Sequence, residues 1–155
     1  MGKRWKYNGT VWVTWGDLEL QNNKRVKSNK KNKDESLEPE VILDFEYDDD
    51  GILYIIIENI GPSSAYGVSI KFDKEITGAE GEKKISAMKI FDHIEFLPPH
   101  KKIRIFVDTF VSYTLRKQPL IFEAKVIYSN KNNREFQNVI KHDLSIYQDF
   151  PHILK

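Results

Sequence analysis

The sequence predicts an all-β protein built as an antiparallel β-sandwich, on three observations. From residue 39 onward, short runs alternate apolar with polar or outward-facing residues. Clusters of Gly, Pro, Asn, Asp and Ser separate those runs, spacing five to seven strands roughly 10–20 residues apart. No segment sustains the 3.6-residue periodicity of a long helix, which leaves room for at most one short helix.

Taken in order, the chain falls into three zones. Residues 1–20 form an N-terminal β arm that holds all three tryptophans. There Val11, Val13 and Trp15 alternate with Thr10, Trp12 and Thr14, a strand pattern with β-branched and aromatic residues on both faces. Residues 21–38, QNNKRVKSNKKNKDESLE, contain only Val26 and Leu37 as apolar residues. Such a composition cannot bury enough surface to offset the entropy of ordering, so it reads as a flexible basic linker or loop. Residues 39–155 then carry the sandwich. Val41, Leu43, Phe45 and Tyr47 share one side of a first strand. Asp48-Asp49-Asp50-Gly51 turns the chain, because Asp-Gly supplies the positive φ of a tight hairpin. Ile52 to Asn59 is almost continuously apolar and predicts a central strand covered on both faces.

Gly61-Pro62-Ser63-Ser64 is a second turn, followed by a strand with Tyr66, Val68, Ile70 and Phe72 on one side. Between Lys83 and Phe96, the spacing of Ile85, Met88 and Phe91 fits either a short helix or a strand, and Pro98-Pro99 ends it. Ile103, Ile105 and Val107 mark the next strand, and Phe122, Ala124, Val126 and Tyr128 the one after. A polar turn at 129–133 leads into a last strand with Phe136, Ile140, Leu144 and Ile146 on one side. These strands predict an immunoglobulin-like antiparallel β-sandwich.

The segment Ile57-Glu58-Asn59-Ile60-Gly61, followed by Ala65 and the strand from Tyr66 to Phe72, resembles the core of prokaryotic immunoglobulin-like domains. The cell-adhesion-related bacterial domain family is of this kind. Leu97-Pro98-Pro99-His100, leading into Ile103–Val107, is similar to the "L-P-P-G, then strand" step of those domains, with His100 where glycine is common. In this reading Asn59 and Gly61 serve turn chemistry, Asn by tolerating a left-handed backbone and Gly by supplying positive φ. The resemblance covers roughly residues 40–128 and departs at the end, where the acidic, Asn-rich close of the adhesion-related group is absent. It implies an accessory module beside a membrane anchor or an enzyme, and transfers no site.

Composition excludes several chemistries. With 155 residues and no cysteine, the chain has no disulfide, thiolate nucleophile or cysteine-ligated metal, and it is long enough to fold without them. It has no apolar run near the ~20 residues that cross a bilayer as a helix. Lys3, Arg4 and Lys6 precede no apolar stretch, so no signal peptide is expected. The exposed domain of a membrane-anchored or surface protein remains a reading, with the compartment open. The four histidines lack a metal-ligand spacing, and Asp92-His93 and His142-Asp143 read as surface or edge residues. Asp48-Asp49-Asp50 offers hard oxygen ligands but lacks a calcium-loop spacing, so a hairpin turn is preferred. The stretch Thr77–Glu82 is too acidic to cradle phosphate and reads as a mobile loop. No cofactor is expected.

The formal net charge of +1 hides a basic arm and linker beside a mildly acidic sandwich. This leads to a non-enzymatic protein-interaction or accessory module, with Trp5, Tyr7, Trp12 and Trp15 as interface candidates. The partner is another protein, or a second copy that exchanges the arm. One alternative is a single-stranded nucleic-acid binder that adds Lys24, Arg25, Lys27, Lys30, Lys31 and Lys33 to those aromatics. A small enzyme with an unrecognised site is the other.

Overall fold

The structure is a computed structural model and describes residues 5–7, 12–14 and 37–152. The chain divides into two units, residues 1–37 and 38–155. In the first, β1 (Trp5–Tyr7) pairs antiparallel with β2 (Trp12–Thr14). The backbone register sets Trp5 opposite Thr14 and Tyr7 opposite Trp12. Trp15 and the cations Lys24, Arg25, Lys27, Lys30, Lys31 and Lys33 lie outside the described residues.

The second unit is an all-β sandwich of two antiparallel sheets. Its strands are β3 (Val41–Tyr47), β4 (Ile52–Asn59), β5 (Ala65–Phe72), β6 (Ile94–Leu97), β7 (Lys102–Thr109), β8 (Ile121–Ser129) and β9 (Glu135–Asp143). One sheet has the order β3-β4-β7 and the other β6-β5-β8-β9. The chain changes sheet after β4, β6 and β7, the three-plus-four partition of an immunoglobulin-like sandwich. Side chains from both inner faces form one core, with Phe45 edge-on to Phe122 at 5.3 Å between ring centroids. Leu53, Ile55, Ile57, Val68 and Val126 are fully buried there, each worth about 2 kcal/mol of transfer free energy. The expectation that β4 is covered on both faces holds for Ile56 but not for Ile52, Tyr54 and Glu58, which are half-buried on the outer face.

The ambiguous segment resolves into both of its readings. A 3-10 turn at Ile85–Ala87 and the helix α1 (Lys89–Asp92) bury Ile85 and Phe91, and strand β6 follows. A second short helix, α2 (Phe110–Leu115), corrects the expectation of at most one. The Thr109 hydroxyl accepts a hydrogen bond from Ser112 N at 3.2 Å, capping it, while Phe110 and Tyr113 bury one side. The last strand also ends earlier than its pattern suggests. Phe136 and Ile140 face inward on β9, but Leu144 starts a 3-10 helix over Leu144–His152, and Ile146 is exposed.

Candidate functional site

Among the described residues, three polar ones are buried in the sandwich, and each supports backbone. Asn59, fully buried at the end of β4, makes four hydrogen bonds. Its Oδ1 accepts from Gly61 N at 3.0 Å and Glu40 N at 3.2 Å, while its Nδ2 donates to Ser63 O at 2.7 Å and Leu97 O at 3.0 Å. One amide thereby joins β4 to the chain before β3, to its own turn and to the end of β6. The turn chemistry expected of Asn59 and Gly61 takes a different form here. Asn59 works through its side chain, and a Cβ at Gly61 would lie 2.4 Å from Glu40 N, so glycine allows close approach rather than positive φ. Left-handed backbone occurs instead at His100, with φ 62°, just past the end of β6. Asn130 closes the β8–β9 hairpin by accepting from Asn132 N and Arg134 N and donating to Glu38.

Asp108, on β7, is held by Arg116 just past α2, which donates through Nε at 3.2 Å and through Nη2. Arg116 also donates to the Thr77 hydroxyl at 2.8 Å and to Thr77 O at 3.2 Å, and Gln118 accepts from Thr77 N at 2.9 Å. The stretch expected to be a mobile loop is therefore tied to α2 and β7. At the first hairpin, Asp48 Oδ1 accepts from Asp50 N at 3.1 Å and Ile52 N at 2.8 Å, and Gly51 takes φ 79°. The Ile52 amide, chiefly, holds the Asp48 carboxyl below the usual carboxylate range. Asp48 is thus a turn residue, as the hairpin reading expected.

The histidines beside aspartates part ways. His93 is exposed and lies 2.8 Å from Glu95, whereas His142 packs against Phe45 and Phe122 at 5.1 and 5.5 Å. Its buried Nε2 has no hydrogen-bond partner, and burial lowers its pKa against an opposing pull from Asp44. The expectation of a surface or edge residue therefore fits His93 at the surface, and His142 by its place on the edge strand β9, although its ring is half-buried.

The best-organised exposed cluster lies on the outer face of the three-stranded sheet. The pairing sets Glu46, Tyr54 and Phe106 in one row, and Asp44, Ile56 and Arg104 in the next. The Arg104 guanidinium sits over the Tyr54 ring, 3.5 Å from its centroid, and Phe106 meets that ring edge-on at 6.2 Å. Glu46 accepts from Lys102 at 3.0 Å and from Arg104 at 2.7 Å. Hydrogen bonding from Lys102, aided by the charges of both cations, lowers the Glu46 pKa. Phe106 is 49% exposed beside this braced pair. On the other sheet, Tyr66 and Phe96 form an exposed tilted pair at 5.4 Å without such bracing.

Sequence reading placed its candidates elsewhere. Trp5, Tyr7 and Trp12 fall on β1 and β2, and Tyr54, Arg104 and Phe106 were overlooked. A signal was present, since Tyr54 interrupts an aliphatic run and Arg104 and Phe106 alternate with Ile103 and Ile105. The pairing of strands 50 residues apart in sequence was not legible.

A family described as "Domain of unknown function (DUF8453)" matches residues 9–148. The chain belongs to this family. Its match takes in β2 and all the strands of the sandwich, so the Arg104 cluster and the Asn59 clamp both lie within the family domain. No curated protein and no solved structure matches the chain significantly. Among the described residues, no helix is long and apolar enough to cross a membrane.

Proposed function

We propose that this family domain is a non-enzymatic protein-interaction module whose docking face is the outer side of the β3-β4-β7 sheet. The observation that carries the reading is Phe106, half-exposed and backed by a Tyr54 ring already fixed under Arg104. Tyr and Arg anchors dominate protein interfaces, and side chains ordered in advance lose less entropy on binding. The three buried polar residues support the same reading, since each is committed to holding backbone. This surface belongs to the sandwich and is separate from the aromatic arm's candidates Trp5, Tyr7, Trp12 and Trp15.

The test starts from a partner captured by cross-linking to the intact chain in its native host and then reconstituted from purified components. Phe106→Ala and Tyr54→Ala should each weaken that complex about tenfold, whereas Lys125→Ala, on the other sheet's outer face, should leave it unchanged. A different result favours the nucleic-acid reading. It would be binding to a single-stranded oligonucleotide that falls steeply with salt, survives Phe106→Ala, and is lost when Lys24–Lys33 are neutralised.

A further inference from the structure

We infer that two copies of this chain associate through antiparallel pairing of β9 with β9, joining their four-stranded sheets across a two-fold axis. The inference goes beyond the docking face, which lies on the opposite sheet.

Strand β9 lies at the edge of its sheet, nine residues long and paired with β8 in unbroken register from Glu135 to Asp143. In such a ladder, alternate residues turn N–H and C=O away from the neighbouring strand, so β9 presents a row of backbone donors and acceptors. Two of the sandwich's three other edges are blunted, and at the third, β3, the Tyr147 hydroxyl donates to Phe45 O at 3.2 Å. β6 has four residues and runs into Pro98-Pro99, and β7 pairs through a register shift at Leu53/Tyr54. Among the described residues, no strand pairs with the outer side of β9.

Side-chain charge selects the partner and the register. A two-fold axis through Asn138 sets Glu135 opposite Lys141 of the second copy, twice, on the solvent face. It sets Phe136 opposite Ile140 on the inner face, where both already pack against the core. Shifting the axis to Val139 would set Glu135 against Asp143, two carboxylates. The same operation on β3 would set Asp44 against itself. Directly opposed like charges destabilise a strand pair, so β9 centred on Asn138 is the self-complementary edge. Glu135 is exposed, and Lys141, 82% exposed, holds only a 3.5 Å ion pair with Glu123. Both are available to a second copy.

The test is sedimentation of the full chain over a concentration series, with circular dichroism to confirm that each variant folds. The wild type should form a dimer that weakens with salt. Glu135→Lys should raise its dissociation constant about tenfold by opposing two cations, and Glu135→Lys with Lys141→Glu should restore it. A chain that stays monomeric at every concentration overturns the inference. So does a dimer indifferent to both the single and the double variant. Neither outcome touches the docking face, whose test uses Phe106 and Tyr54.

Discussion

At the scale of single residues, the sandwich depends on side chains that substitute for missing backbone partners. Asn59 is the plainest case, because four backbone groups from three parts of the chain converge on one amide. Asn59→Ala leaves all four without that partner in a site closed to water. It should cost about 3 kcal/mol, read as a lower urea midpoint at unchanged slope. A loss under about 0.5 kcal/mol would mean that those groups find other partners. Sequence reading placed Asn59 and Gly61 in a turn but could not see the amide's reach to Leu97, 38 residues away. The left-handed backbone at His100 likewise shows only in the structure.

At the scale of elements, the connection from β5 to β6 is fastened to the helix after β7. Arg116 links Asp108 to Thr77, and Gln118 holds the Thr77 amide, so α2 acts as a buckle between the two sheets' connections. Arg116→Met strands a carboxylate that is 5% exposed. Because the arginine itself keeps some contact with solvent, the cost should be about 2–3 kcal/mol rather than the full penalty of a deeply buried pair. Pairing it with Asp108→Leu should recover much of that loss, which a denaturation double-mutant cycle measures directly. A double variant as unstable as the sum of the singles would remove the coupling assigned to the pair. Alternation made the strands of this unit legible, since period-2 burial is a local property. The short helix at Phe110–Leu115 was not, because a six-residue helix owes its stability to the pocket that takes Phe110 and Tyr113.

At the scale of the whole molecule, pH should act on stability through His142. Its ring lies among Phe45, Phe122 and the edge strand, where burial lowers its pKa and the charge of Asp44 on the facing sheet opposes that shift. Folding lowers its pKa from an unfolded value of 6.5, so the unfolded chain binds the proton more readily. The sandwich should therefore hold full stability above about pH 6.5 and lose part of it as pH falls toward the lowered folded value. The carboxylates Glu46, Asp48 and Asp143 are also lowered, so their contributions are lost only under more acid conditions, below their ordinary values of 4.5 and 3.8. Urea midpoints between pH 7.5 and 5.5 separate the two windows, and His142→Phe should flatten the upper one. An unchanged slope in that variant would assign the effect elsewhere.

The strand-rich remainder from residue 39 onward was readable from composition and period, because those properties are carried by neighbouring residues. From them the sequence by itself determined an all-β sandwich, several of its turns and the absence of cysteine chemistry. Tertiary structure alone decided which strands share a sheet, and with that the outward row of Glu46, Tyr54 and Phe106. It also decided that β9 lies at the edge of the four-stranded sheet. The physical reason is that strand pairing joins residues far apart in the chain, and several pairings satisfy the same alternation equally well until a single core must be filled.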